Sequence, residues 1–150
     1  MRNPSSPAPA NRFHEVLLDS LVSGRAPFPL VDRLGARFVE LGDGRAVLEC
    51  DVDASHHNPV GVVHGGLAFF LMDTAMGFAS MTVHAAGQKC STVDVKINYI
   101  RAVTKGRLRA EATVVKAGRT VIHLEAKTVD ERGRLVAQAL GVAVLTPDAA

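Results

Sequence analysis

The sequence lacks the features typical of secreted, disulfide-rich or nucleic-acid-binding proteins. It has no tryptophan, only two cysteines in 150 residues, and a formal net charge of only +2. Two cysteines cannot build a disulfide framework, and so small a charge gives no reason to expect nucleic acid as a partner. The first ten residues are polar and proline-rich with no apolar core, so they do not resemble a signal peptide, and we expect a cytoplasmic protein.

Long apolar runs and several catalytic motifs are also missing. The longest apolar stretch, residues 67–86, is interrupted by Asp73 and by hydroxyl and imidazole side chains, so we expect no membrane span. Neither a G-x-S-x-G motif nor a glycine-rich phosphate loop is present, which removes the usual signals of serine and nucleotide hydrolases. His56, His57 and His64 do not have the spacing of a zinc site, so we predict no metal and no other cofactor.

What is present is the composition of one globular domain, with 47% hydrophobic and 21% charged residues. We predict a disordered tail over residues 1–10 and a single domain over residues 11–150. Asn11 is predicted to cap a helix over residues 12–23, which Gly24 ends. The segment Pro27-Phe28-Pro29 is predicted to turn or to dock onto the core. Cys50 and Cys90 lie among strand-like residues and are predicted to be small buried hydrophobes.

Alternating apolar residues predict six strands separated by turn signals. The strands cover residues 36–41, 45–53, 91–101, 107–116, 119–129 and 134–145. The last four should form an antiparallel meander. In the third, Val93, Val95, Ile97 and Tyr99 should share one face. Residues 65–86 are apolar on nearly all sides, which predicts a buried helix. A curved antiparallel sheet wrapped around one long central helix accommodates this pattern, so the predicted fold is the α+β hotdog fold.

The segment from Asn58 to Gly66 is the first candidate for chemistry. Gly65 and Gly66 begin the predicted helix, so their backbone N–H groups are unpaired and carry partial positive charge. Such a helix start suits an oxygen that becomes negative, and glycine lets a substrate carbonyl approach closely. The alternative is that the two glycines only let the helix pack tightly against the preceding loop, and the segment alone leaves both interpretations open.

Asp73 is the second candidate. Its neighbours within one helical turn include Phe69, Phe70, Met72 and Met76, so its surroundings should be dry. A buried carboxylate without partners costs several kcal/mol. This cost favours a general base or nucleophile at an apolar acyl pocket. A structural aspartate bonded to a neighbouring strand is the alternative.

Taken together, these residues resemble the hotdog-fold acyl-CoA thioesterases, specifically the phenylacetate-pathway (PaaI-like) branch. The resemblance extends over residues 34–146 and is carried by Asn58, His64-Gly65-Gly66, Asp73 and the run from Thr92 to Tyr99. It implies that the Gly65 N–H holds the thioester carbonyl, that Asn58 orients the site and that Asp73 activates water or attacks directly. It also implies that Thr92 or Ser91 holds the water, while His64 braces the Asn58 loop.

The predicted function is hydrolysis of an acyl-CoA thioester to a free acid and coenzyme A. We expect Gly66, Phe70 and Met76 to contact the acyl part of the substrate. Three strand-end cations, Arg101, Lys116 and Arg119, are expected to bind the phosphates of coenzyme A, with a solvated charged rim as the alternative. The acyl group, aryl or aliphatic, is left open. A non-catalytic acyl-CoA-binding protein and a hotdog enoyl-CoA hydratase or dehydratase are the alternative functions.

The distance between Gly65 and Asp73 predicts a shared active site. Eight residues of helix separate them by about 12 Å along the axis, whereas groups that serve one carbonyl must lie within roughly 3–4 Å of the reacting atoms. We therefore predict a homodimer in which Gly65 of one chain faces Asp73 of the other. The resemblance implies dimers of this kind that pair into homotetramers.

Overall fold

The structure, a computed structural model, describes residues 12–85 and 87–147, which contain three α-helices and six β-strands. The helices are Arg12–Ser23 (α1), Pro29–Arg33 (α2) and Gly65–Met81 (α3), and a 3-10 helix covers Ala54–His56. The strands are Ala36–Gly42 (β1), Arg45–Val52 (β2), Gln88–Tyr99 (β3), Gly106–Ala117 (β4), Val121–Val129 (β5) and Leu135–Pro147 (β6). The predicted tail and the predicted cap Asn11 lie outside the described residues.

All six strands belong to one antiparallel sheet in the order β1-β2-β4-β5-β6-β3. The predicted meander is therefore correct for β4, β5 and β6 but wrong for β3. Strand β2 pairs with β4 from Arg45 opposite Thr113 to Val52 opposite Gly106, which leaves β4 no free edge for β3. Strand β3 pairs instead with β6 and forms the far edge of the sheet.

Helix α3 packs against one face of this sheet and supplies the centre of the core. Leu71, Met72, Ala75 and Met76 are each at most 1% exposed. The alternating strands present buried residues to the helix, as in β5, where every second residue from Ile122 to Thr128 is buried. One long helix held by a curved antiparallel sheet is the predicted α+β hotdog fold.

Helix α3 ends at Met81, earlier than the predicted end near residue 86. The Thr82 hydroxyl accounts for the difference: it donates to the Ala79 carbonyl and accepts the Gly44 N–H, both at 2.7 Å. The helix end is thereby tied to the turn between β1 and β2. The sequence carried no stop signal here, because the residues remain largely apolar up to residue 86.

The segment around Phe28 docks onto the core. The Phe28 ring stacks on Phe78 of α3 with ring centroids 6.1 Å apart, and Phe38 of β1 meets Phe78 edge-on at 4.6 Å. Pro29 then begins α2, a five-residue helix that the sequence analysis did not predict. Proline suits the first position of a helix, where its missing N–H is not needed.

Candidate active site

The loop ahead of α3 is held in shape by Asn58. The Asn58 Oδ1 accepts the N–H groups of Val60 at 3.0 Å and Val62 at 3.4 Å, and the Asn58 N–H donates to the Val62 carbonyl at 2.8 Å. The side-chain oxygen is thus occupied within the loop. The amide NH₂ group has no hydrogen-bond partner among the described residues, so it is the donor that Asn58 can offer to a ligand.

His64 caps α3 and leaves one backbone donor free. The His64 Nδ1 accepts the Gly66 N–H at 2.8 Å, and the His64 carbonyl accepts the Leu67 N–H at 2.9 Å. Because Nδ1 is an acceptor, the proton of the neutral ring is on Nε2. The Gly65 N–H has no acceptor within residues 12–85 and 87–147, and it points from the positive end of the helix dipole. This donor can stabilise an oxygen on which negative charge develops.

Asp73 lies on the side of α3 that the sheet does not fully cover. Its Oδ1 atom is buried and has no hydrogen-bond partner in the described part of the chain. Such a carboxylate oxygen is rare, because burial removes water without a replacement. Along the same side of the helix, Gly66, Phe69, Phe70 and Gly77 are half-buried or exposed, and a Cβ atom at Gly77 would have open space around it. The Asp73 side of α3 is therefore free to contact another group.

Ser91 and Thr92 point to opposite faces of the sheet, as adjacent strand residues do, and a β-bulge beside Thr92 determines which of them faces α3. The register with β6 shifts between Thr92 and Asp94. Thr92 is paired with Ala143, which is buried on the helix side, whereas Ser91 is paired with Val144 on the other face. Val93 is the extra residue of the bulge and is 58% exposed, so the predicted regular alternation fails there. Of the two candidate hydroxyl groups, Thr92 is the one on the side of α3.

Tyr99 lies beside the site as well, although the sequence analysis placed it only in the strand alternation and in the run from Thr92 to Tyr99 that carries the family resemblance, with no role of its own. A Cβ atom added to Gly65 would lie 2.8 Å from Cε1 of Tyr99, so the aromatic ring packs against the Cα atom of the residue whose amide is free. The available signal was its place in the alternation with Val95 and Ile97. Nothing in the sequence indicated that the end of β3 meets the start of α3.

His56, His57 and Cys50 are engaged in structural contacts. The His56 Nδ1 accepts the Asp53 N–H at 3.0 Å, so Nε2 carries the proton and donates to the Leu34 carbonyl at 3.1 Å. The His57 Nε2 lies 2.8 Å from the Thr104 carbonyl. Cys50 is 4.0 Å from His56, but burial raises the pKa of its thiol to about 11, so this pair does not form a reactive thiolate. Among the described residues, no group of three His, Cys, Asp or Glu is placed to hold a metal ion.

The predicted coenzyme A-binding residues lie at two ends of the sheet. Arg101 follows β3, close to Tyr99, whereas Lys116 and Arg119 lie at the turn between β4 and β5. That turn lies at the same height along the strands as Thr92, because Ile122, just after the turn, and Thr92 are both paired with Ala143. Seven residues of strand, about 23 Å, separate Thr92 from Tyr99. All three cations are exposed, but one chain does not bring them together.

The predicted acyl-contacting residues also divide into two groups. Phe70 is half-buried and lies on the Asp73 side of α3, whereas Met76 is 1% exposed and packs against Gly141 of β6. Met76 is thus part of the core, and we leave it out of the acyl-binding surface. A hollow of about 350 Å³ on the outer face of the sheet is lined by Lys96, Glu125 and other mainly polar residues, and it contains neither Gly65 nor Asp73.

Comparison with known proteins identifies the family. Residues 60–137, which include Gly65, Asp73 and Thr92, match the model of the thioesterase superfamily. The chain is 32% identical over 117 residues to the proofreading thioesterase EntH of Klebsiella pneumoniae, a match that covers 77% of this chain and 85% of that protein.

Two solved structures extend the comparison. A conserved protein of Pseudomonas aeruginosa has a TM-score of 0.75 and 37% identity, with 79% of this chain and 94% of that chain covered. A mutant of the phenylacetic acid degradation protein PaaI from Thermus thermophilus has a TM-score of 0.72 and 29% identity, with 78% and 98% covered.

The chain belongs to the thioesterase superfamily and is a thioester hydrolase with the hotdog fold. Its resemblance to the PaaI-like branch, inferred from the residues between Asn58 and Tyr99, is confirmed by the PaaI structure among its neighbours. No helix in the described residues is long and apolar enough to cross a membrane.

Proposed function

We propose that this protein is a cytoplasmic acyl-CoA thioesterase that hydrolyses its substrate to a free acid and coenzyme A without a metal or redox cofactor. The observation that carries the proposal is the buried, unpartnered Oδ1 of Asp73 on an uncovered side of α3. A carboxylate left without a partner in an apolar setting is suited to accept a proton or to attack an electrophile. The free Gly65 N–H supplies the complementary donor for a carbonyl oxygen.

In the proposed mechanism, the thioester oxygen accepts a hydrogen bond from the Gly65 N–H, and the helix dipole stabilises the negative charge that develops on it. The Asn58 NH₂ group orients the substrate at the loop. Asp73 then either takes a proton from the attacking water or attacks the carbonyl carbon to form an anhydride, which water cleaves. The Thr92 hydroxyl, which lies on the helix side of β3, holds the water. The carbon–sulfur bond breaks, and coenzyme A leaves as a thiolate that takes up the proton released by the water.

The active site is proposed to form between two chains. Gly65 and Asp73 are about 12 Å apart along α3, so one helix cannot serve one carbonyl with both. Two features support a dimer: β3 is a twelve-residue edge strand, and the Asp73 side of α3 is only partly covered. A two-fold axis that pairs the edges of β3 and makes the helices antiparallel would bring Gly65 of one chain to Asp73 of its partner. The resemblance further implies that such dimers pair into tetramers.

The same dimer would bring together Arg101, Lys116 and Arg119, which lie at two different ends of the sheet in one chain. Antiparallel pairing would place the β4–β5 turn of one subunit near the Gly65 end of the other. Lys116 and Arg119 from one chain would then lie on the same side as Arg101 from its partner. We propose that this basic cluster binds the phosphates of coenzyme A, while Phe70 and Gly66 line the acyl end.

A thiol-release assay on a panel of acyl-CoA thioesters tests the proposal. We expect hydrolysis by the wild-type protein and a loss of turnover by Asp73→Asn on the order of a hundredfold or more. The free energy of unfolding of this variant should be unchanged or higher, because the substitution removes an uncompensated buried charge. Asp32→Asn is the matched control, since Asp32 is exposed on α2.

The assay also separates the alternatives. A hydratase would add water to an enoyl-CoA without releasing thiol, and a non-catalytic binding protein would show saturable acyl-CoA binding with no turnover. In this structure the Nδ1 of His64 is committed to the helix cap, which argues against His64 as the catalytic base that a hydratase needs. Full activity in Asp73→Asn would remove Asp73 from the mechanism.

A further inference from the structure

The Tyr99 ring occupies the space next to the proposed oxyanion donor. A Cβ atom at Gly65 would lie 2.8 Å from Cε1, 3.0 Å from Cζ and 3.3 Å from Oη of Tyr99. Non-bonded carbon atoms normally stay about 3.5–4.0 Å apart, so the ring edge fills the place of any side chain at position 65. Tyr99 is 57% exposed, so part of the ring remains accessible.

Hydrogen bonds hold the backbone that carries this ring. Tyr99 is the last residue of β3 and is paired with Ala137 of β6. Immediately after it, the N–H groups of Ile100 and Arg101 both donate to the Val136 carbonyl, at 2.8 and 3.1 Å. These bonds fix the end of the edge strand, so the ring is carried on an ordered segment beside the helix start.

Tyr99 is also the first residue of an apolar strip that faces α3. After the bulge, Val95 and Ile97 are half-buried. Tyr99 lies on the same face of the sheet, because it is paired with Ala137, and Ala137 is paired with the buried Thr128. An acyl group whose carbonyl oxygen accepts the Gly65 N–H at about 2.9 Å would begin beside the Tyr99 ring.

We propose that the Tyr99 ring is a specificity-determining wall that excludes acyl groups branched at the α-carbon. This inference rests on the thioesterase function proposed above. With the carbonyl oxygen on the Gly65 N–H, the α-carbon, which is bonded to the carbonyl carbon, would be placed beside the ring. An unbranched acyl chain can pass along the flat edge of the ring, whereas a second carbon on the α-carbon would overlap with it. One additional carbon against a fixed apolar wall changes kcat/KM by about 10- to 200-fold.

Butyryl-CoA and isobutyryl-CoA provide the test, because they are isomers that differ in whether the fourth carbon extends the chain or branches from the α-carbon. We expect wild-type protein to prefer butyryl-CoA at least about tenfold in kcat/KM, and Tyr99→Ala to reduce that ratio by about tenfold. Tyr99→Phe retains the ring and should retain the ratio. Leu140→Ala is the control, since Leu140 is exposed on the outer face of the sheet and should keep wild-type kinetics.

Denaturation of each variant is measured in parallel. If Tyr99→Ala does not fold, Tyr99→Leu, which fills the site without a flat ring, is expected to lower the ratio instead. An unchanged ratio in both variants, or no wild-type preference, would overturn the inference while leaving hydrolysis intact. A collapse of the ratio in Tyr99→Phe would assign the effect to the hydroxyl and overturn it as well. If the wild-type protein releases no thiol from either substrate, the proposed function itself is wrong.

Discussion

Asp73 and Gly65 could be singled out from the sequence because each is unusual in its local setting. A carboxylate surrounded by phenylalanine and methionine is costly to bury, and two glycines at a helix start expose their N–H groups. The local pattern could not show how the neighbouring donors are used. The His64 imidazole takes the Gly66 N–H, which distinguishes Gly65 as the free donor. The contact between Tyr99 and Gly65 could not be predicted, because it joins residues 34 positions apart in the sequence.

The choice between Ser91 and Thr92 shows a similar limit. The two hydroxyl groups are adjacent in sequence, and a regular strand continued back from Ile97 and Val95 would place Ser91, not Thr92, on the helix side. The bulge at Val93 changes the alternation so that both Thr92 and Val95 face α3. A bulge is set by the pairing with β6, which is a contact between distant segments and has no signature in β3 itself.

The two cysteines should be inert in the folded protein. Burial raises the pKa of the Cys50 thiol to about 11, with a further increase from the neighbouring carboxylates of Asp51 and Asp53, and burial also raises the pKa of Cys90. We expect the native protein at pH 7.5 to react with 4,4′-dithiodipyridine at least about a hundredfold more slowly than the unfolded protein. Stopped-flow absorbance measures both rates, and Cys90→Ser isolates the Cys50 thiol. Fast labelling of native Cys90→Ser would contradict the burial of Cys50.

Strand boundaries followed from alternation to within a few residues, whereas strand order did not. Alternation reports which residues face the core, and this property is local. The position of β3 depends on which strand edge remains free after β2 has paired with β4. That outcome depends on contacts between strands that are distant in the sequence, so the pattern of one strand does not reveal it. The short helix α2 was missed for another reason: five residues contain too little periodicity to be recognised.

The outer face of β1, β2 and β4 carries a network of ion pairs that should contribute to stability at neutral pH. Arg45 bridges Glu40 and Glu111, Arg109 bridges Glu40 and Glu49, and Arg37 and Arg107 both contact Glu49 and Asp51. Hydrogen bonds from Arg107 and Arg37 lower the pKa of Asp51, and a hydrogen bond from Arg45 lowers the pKa of Glu111.

A pKa that is lower in the folded than in the unfolded state gives stability that is present above the unfolded value, about 4, and is lost as the pH falls through the folded value. The free energy of unfolding in urea should therefore decrease below about pH 4. Glu111→Gln should lower it by about 0.5–1 kcal/mol at pH 7, a small value because solvent screens the pair, and should flatten the acid dependence. Glu125→Gln, at an exposed residue of β5 with no ion pair among the described residues, is the control. If the two substitutions change the free energy of unfolding equally, the ion-pair network does not contribute to stability.

Within one chain, the residues that the proposed reaction requires at one site lie far apart. Arg101 lies at one end of the sheet and Arg119 at the other, just as Gly65 and Asp73 lie apart on α3. If Arg119 reaches a phosphate across the dimer, Arg119→Ala should raise the KM for acyl-CoA about three- to tenfold. It should hardly change the KM for an N-acetylcysteamine thioester, which lacks the nucleotide. Arg132→Ala, at another exposed arginine, serves as the control variant. The same KM increase for both substrates would assign Arg119 a structural role.

The central claim, an active site shared between two chains, is tested most directly by the activity of a purified mixed dimer. Asn58→Ala and Asp73→Asn chains with different affinity tags are co-expressed, and dimers that carry both tags are isolated. Each variant alone should be almost inactive. In a mixed dimer, one site combines the intact loop of one chain with the intact Asp73 of its partner, and the other site carries both substitutions. We therefore predict about half of the wild-type activity in mixed dimers. If each site lies within one chain, every site of the mixed dimer carries a substitution. Activity of the mixed dimer no higher than that of the single variants would therefore contradict a site shared between chains.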